Sequence, residues 1–190
     1  MGLNIRYIRD YFVDSFARKV LIWVVQILAT VALAALLSFA FFQTVVIHEG
    51  SMEPAISADE KFLVNKVVYQ VSNPKRGDII AFRLGDKEKG SVHIKRVVGL
   101  PGDTIQIQNE QILIDGKTYV EQKDFPAIKN AGLAEEPITL ASNEYFVLGD
   151  NRNSSEDSRF VDIGNIKKDQ IVGKLWFAIS PVSKLGLLNS

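Results

Sequence analysis

Between Val20 and Ile47 the chain reads VLIWVVQILATVALAALLSFAFFQTVVI, 28 residues without a charge. A helix needs about 20 such residues to cross a hydrocarbon core of ~30 Å. The run therefore predicts a membrane-spanning helix. Its last part, Phe41 to Ile47, is aromatic and β-branched, which predicts a strand leaving the membrane. Trp23 lies near one end, where an interfacial aromatic is expected. Arg6, Arg9, Arg18 and Lys19 precede the run, and positive flanks stay cytoplasmic. The expected organisation is a cytoplasmic segment over 1–19, a transmembrane anchor over 20–42 and an extracytoplasmic β-rich domain over 43–190.

Two other readings of the run compete. Ala32-Leu33-Ala34 has the small-x-small look of a signal-peptide cleavage site. A cut there falls in mid-run and leaves an apolar stub, and the run exceeds the usual h-region of about 7–15 residues. A buried core helix would show a wet face, and no charge marks one. A retained anchor is the reading favoured.

Composition narrows the rest. The 22 Lys+Arg balance 22 Asp+Glu, which excludes a strongly basic nucleic-acid binder as first choice. No Cys is present, so disulfides, thiolate catalysis and Cys-ligated metals are excluded. Two His, His48 and His93, leave little for a His-based metal site, and no cofactor or metal is expected.

Beyond the anchor the pattern is β. Strands are expected at Phe62–Val71, Asp78–Leu84, Val92–Gly99, Thr104–Gln108, Gln111–Ile114, Lys117–Val120, Glu144–Leu148 and Gln170–Ala178, with an Asp115-Gly116 turn. Residues 121–138, with Pro126 and Pro137, are expected as a surface loop. No useful helical period follows residue 48. Trp176 and Phe177 sit in a strand-like alternation that points them to the core, with lipid headgroups as the alternative. The expected fold class is mainly β: an antiparallel sandwich or barrel carrying one N-terminal transmembrane helix.

Three polar clusters stand out. In His48-Glu49-Gly50-Ser51-Met52-Glu53-Pro54, a Ser after Gly can be presented on a bend with its N–H free, which suits a nucleophile that helps hold an oxyanion. The plainer alternative is a Gly-Ser turn. In Val92–Asp103, strand alternation puts His93 and Lys95 on one face. A Lys among Ile94, Val97 and Val98 is open to desolvation, which lowers its pKa, unless it snorkels to water. The third cluster, Gly149–Arg159, has no apolar residue and is either a solvated loop or the brace of a neighbouring site.

Taken together, the clusters resemble bacterial type I signal peptidase in its compact Gram-positive-like form. The resemblance rests on Gly50-Ser51-Met52-x-Pro54, Arg76-Gly77-Asp78-Ile79, Ile94-Lys95-Arg96-Val97-Val98-Gly99-Leu100-Pro101-Gly102-Asp103 and Gly149-Asp150-Asn151-Arg152-x-x-Ser155-x-Asp157-Ser158-Arg159. It implies a membrane-bound serine endopeptidase with Ser51 as nucleophile and Lys95 as general base. Ser155 then matches a Ser that hydrogen-bonds the Lys, and Asp157 and Arg159 match a structural ion pair. The resemblance also implies that Asp150 holds its loop, and Met52 matches a residue packed beside the substrate groove. A His93 base is the competing arrangement within the site. The partners implied are preproteins with Ala-x-Ala sites, membrane lipid and the secretion machinery, with no nucleic acid. A processing peptidase with one client and a non-catalytic assembly factor of the same fold are the alternatives. One departure matters: Glu49 stands where Gram-negative members carry a Ser that completes the oxyanion hole.

Overall fold

The computed structural model describes residues 5–85 and 90–188, with side chains of the first helix described from residue 16 onward. Residues 1–4, 86–89 and 189–190, which belong to the expected cytoplasmic and outer segments, lie outside the described residues. So do the side chains of Arg6 and Arg9.

The chain forms two compact units, 1–41 and 42–190. The first is one helix, α1 (Ile5–Phe41). Within it Phe16–Phe41 is long and apolar enough to cross a membrane, and none of that stretch is buried. Trp23, for example, is 67% exposed. That exposure removes the core-helix reading, because a core helix hides its apolar surface. The Thr30 hydroxyl donates to the Gln26 carbonyl at 2.8 Å, so it brings no unsatisfied group into an apolar span.

The second unit holds twelve strands among its described residues: β1 (Phe42–Val46), β2 (Lys61–Asn65), β3 (Ile79–Arg83), β4 (Val92–Gly99), β5 (Thr104–Gln108), β6 (Gln111–Ile114), β7 (Lys117–Thr118), β8 (Ile138–Thr139), β9 (Glu144–Leu148), β10 (Ile166–Lys167), β11 (Ile171–Ser180) and β12 (Gly186–Leu187). Eight form one sheet in the order β1-β2-β11-β3-β4-β9-β10, with β12 on β11. Four form a second, ordered β7-β6-β5-β8. The strand pairs are antiparallel throughout. The mainly β expectation is met, and β1 is the strand expected at the end of the apolar run.

Alternation builds the core. On β3, Ile79 and Ala81 join one apolar cluster with Val45, Met52 and Ile94. Ile80 and Phe82 join another with Val97, Tyr145 and Val147. A strand buried on both faces reads as a continuous apolar run, as Ile79–Phe82 does. A third cluster, built on Ile105, Ile107, Phe146 and Leu148, links β5 of the smaller sheet to β9 of the larger.

Three expectations need correction. Phe62–Val71 is not one strand: β2 ends at Asn65, and α2 (Val68–Val71) follows. Asn65 Oδ1 accepts from the Val67 and Val68 amides at 3.0 and 3.1 Å, which turns the chain despite its β-branched residues. The segment 121–138 is more than surface, since Ile128 and Ala134 are buried in the third cluster. Trp176 is 41% exposed, stacked on Phe42 at 5.2 Å, because Leu175 takes the inward position. The Asp115-Gly116 turn joins β6 to β7, with φ of 52° and 74°, the left-handed pair a two-residue hairpin requires.

Candidate active site

The Ser51 turn is fixed from both sides. The Ile47 amide donates to the Glu60 carbonyl at 3.0 Å and so extends the β1–β2 pairing toward it. One 3-10 turn then spans Gly50–Met52, closed by the Glu53 amide on the Gly50 carbonyl at 3.2 Å. Met52 is buried in the first apolar cluster and anchors the turn. The Ser51 hydroxyl is left facing β4.

Lys95 reaches it from β4. Its register partner on β3 is Ile80, and its side chain is only 1% exposed. Lys95 Nζ lies 2.7 Å from Ser51 Oγ. Residues 44 positions apart are thus brought into hydrogen-bond contact. His93 shares the Lys95 face, as alternation requires, and stacks on Phe82 at 5.7 Å. Among the described residues it makes no hydrogen bond to Ser51. Its Nδ1 lies 3.2 Å from Glu49 Oε1.

Glu49 turns into the site. Its Oε2 accepts from Lys95 Nζ at 3.1 Å and lies 3.4 Å from Ser51 Oγ. Its carboxyl is lowered to about 2, chiefly by the hydrogen bond from His93. Burial opposes that shift, and the charge and hydrogen bond of Lys95 reinforce it. Glu49 is therefore an ionised neighbour of the pair. The sequence marked it only as a departure.

Behind the pair lies the loop 149–159. Asp150 takes two hydrogen bonds from Arg96, each 2.7 Å, with both groups buried. Asp157 and Arg159 form a two-point ion pair at 2.8 and 2.9 Å. Asp157 Oδ2 also accepts the Gly149 amide at 3.1 Å. Arg159 goes on to the Arg152 carbonyl at 2.6 Å, and Arg152 grips Glu121 through two bonds of 2.6 Å. Asn151, not singled out by the sequence reading, ties this loop to the Ser51 turn. Its backbone N–H donates to the Ser51 carbonyl at 3.0 Å and its side chain to the Gly50 carbonyl at 3.3 Å. Ser155 is buried against Gly149, and its hydroxyl points to the Glu156 carbonyl at 3.5 Å. Among the described residues it makes no hydrogen bond to Lys95.

A cleft of about 450 Å³ opens at Ser51, lined by Gln43 to Glu49 along β1 and just beyond it, and by Ser91, Val92 and Ile94 at the start of β4. Both strands show it an open edge. β1 is the end strand of its sheet, and β4 meets β9 only from Arg96 onward. Among the described residues no group of three His, Cys, Asp or Glu side chains could hold a metal ion. The site thus offers a hydroxyl, a buried amine in contact with it, and two strand edges able to pair with an extended chain.

Comparison with known proteins places the chain in a family. The model of the family described as signal peptidase, peptidase S26, matches residues 20–179. A signal peptidase I P of Bacillus subtilis subsp. natto is 36% identical over 174 residues, covering 88% of this chain and 92% of the relative. Signal peptidase I S of Bacillus subtilis strain 168 is 33% identical over 184 residues, covering 92% of this chain and 97% of the relative. A crystal structure of a signal peptidase I from Enterococcus faecalis is 31% identical, with a TM-score of 0.41, covering 54% of this chain and 96% of that one. The chain belongs to the signal peptidase family, peptidase S26.

Proposed function

We propose that this chain is a membrane-anchored serine endopeptidase that removes signal peptides from preproteins, with Ser51 as nucleophile and Lys95 as general base. The observation that carries the dyad is the 2.7 Å contact between Ser51 Oγ, which lines the cleft, and the buried Lys95 amine.

A serine hydroxyl is a weak nucleophile at its own pKa and needs a base within reach. Neutral Lys95 Nζ takes the Ser51 proton as Oγ attacks the scissile carbonyl carbon. The oxygen of the tetrahedral intermediate carries the negative charge, and the Ser51 N–H donates to it. The Lys95 ammonium returns its proton to the leaving amine, and the C–N bond breaks. An ester on Ser51 remains. A water then gives its proton to Lys95 and attacks the ester. The carboxyl product leaves, and Ser51 regains its hydrogen.

The substrate lies extended in the cleft and pairs with the open edges of β1 and β4. Walls made by Val45, Ile47, Met52 and Ile94 favour small, uncharged side chains beside the cut, in keeping with an Ala-x-Ala preference. The three arginines and one lysine before the apolar run orient the N-terminus to the cytoplasm and residues 43–190 to the outside.

The test is cleavage of a purified preprotein with an Ala-x-Ala site by the full chain in lipid, with the cut located by mass spectrometry. Cleavage after the second small residue, lost in Ser51→Ala, is the expected result. A folded wild-type protein that cleaves none of several preproteins would replace this reading with a dedicated-client or assembly role.

A further inference from the structure

Glu49 occupies the mouth of the cleft and divides its two carboxylate oxygens. Oε2 faces the dyad, 3.1 Å from Lys95 Nζ and 3.4 Å from Ser51 Oγ, while Oε1 faces His93 Nδ1 at 3.2 Å. The Glu49 side chain is 45% exposed and can swing, whereas Lys95 at 1% cannot. We propose that Glu49 is a positioning residue that holds Lys95 as its ammonium in the empty site, and that an entering peptide moves the carboxylate onto His93 and so frees Lys95 to act as base. The inference rests on the Ser51/Lys95 reading above.

The argument is one of charge and space. An anion in contact with a lysine favours the ammonium, which cannot accept the Ser51 proton. A scissile carbonyl arriving at Ser51 Oγ needs the room that Oε2 takes up. A carboxylate left there would also repel the developing oxyanion. Moving Oε2 away while Oε1 keeps its bond to His93 removes both obstacles. A buried ammonium that loses its counterion gives up its proton more readily, here to water, and Lys95 Nζ is left facing the Ser51 hydroxyl it already touches.

Other ionisable groups do not take over the role of Glu49. Glu53 lies over Gly50, and His48 lines the same cleft. On the loop behind, Asp150 and Asp157 are each committed to a buried arginine. From β3 the register partner of Lys95 is Ile80. The Glu49 carboxyl is held low chiefly by its hydrogen bond with His93, the contact it keeps in the proposed movement.

The experiment is the pH profile of kcat/KM on a preprotein for wild type, Glu49→Gln, His93→Asn and the double variant, with Ser51→Ala and Lys95→Ala alongside. The acid limb reports the free enzyme's base. In Glu49→Gln it should move to lower pH by about 1–3 units. His93→Asn should move it upward in the Glu49 background and leave it in place in the Glu49→Gln background; a merely structural role would move both alike. Binding of an uncleavable Ala-x-Ala peptide to Ser51→Ala should release a proton, measured by calorimetry in buffers of different ionisation enthalpy, and the added Glu49→Gln change should abolish that release. Should Glu49→Gln not fold, Glu49→Ala is read for the same shift. An unmoved acid limb, with Ser51→Ala and Lys95→Ala inactive, overturns this inference alone. Activity persisting in Ser51→Ala or Lys95→Ala overturns the dyad beneath it.

Discussion

Arg96, the residue after Lys95 on β4, is clasped by Asp150 through two hydrogen bonds of 2.7 Å. The same guanidinium donates to the Gly77 carbonyl at 2.8 Å. One buried ion pair thus joins the strand that carries the amine, the loop behind the site and the turn before β3. Asp150→Ala leaves an uncompensated cation inside the protein. It should cost about 3–5 kcal/mol of folding stability, read by urea unfolding of the β-rich unit of the full chain in detergent. A loss below ~1 kcal/mol would mean that water reaches the pair.

Gly149 should not tolerate a side chain. A Cβ there would collide with the Ser155 side chain and come within 2.5 Å of the Ser51 carbonyl. Gly149→Ala should lower stability by about 1–3 kcal/mol, as overpacking does, and should reduce cleavage beyond that loss by pushing the Ser51 turn off register. Wild-type kinetics in the alanine variant would show that the loop and the turn move independently.

Asn151→Ala keeps the backbone bond to Ser51 and loses only the 3.3 Å side-chain bond to Gly50. One neutral hydrogen bond contributes about 1 kcal/mol, so kcat should fall several-fold with KM nearly unchanged. A fall of about a thousandfold would place the Asn151 amide on the oxyanion instead.

The Glu49 contacts also set a pH dependence of stability. Its folded pKa of about 2 lies below the ordinary 4.5. The contribution is therefore complete above pH 4.5 and is lost as pH falls toward 2. The gap in unfolding free energy between wild type and Glu49→Gln should be level from neutral pH to about 5 and should narrow below that. Solvent screening keeps it small, because Glu49 is 45% exposed. A gap that widens on acidification would contradict the assignment.

Local pattern sufficed where side chains alternate against a core. β4, β5, β6 and β9 lie where their apolar periodicity places them. It failed at Val68–Val71, whose residues favour a strand while the Asn65 side chain dictates a turn. The two-residue strands β8, β10 and β12 carry too little pattern to be read, whereas β7 was marked by the turn before it. In the candidate site, motif order marked Ser51 and Lys95, which the structure brings to 2.7 Å of each other. The reach of Glu49 was not, since its identity says nothing of which way a half-exposed carboxylate turns. Asn151 stood in the motif without a role for a related reason: its main task, a backbone bond to Ser51, is one that almost any residue type could perform.

Cleavage of a preprotein by Lys95→Ala, beside wild type and His93→Ala, tests the central assignment most directly. With folding verified by circular dichroism, kcat/KM should fall by at least about a thousandfold in Lys95→Ala, as expected for loss of an essential base. His93→Ala should retain measurable cleavage. Full activity in Lys95→Ala together with none in His93→Ala would contradict the assignment and make His93 the base.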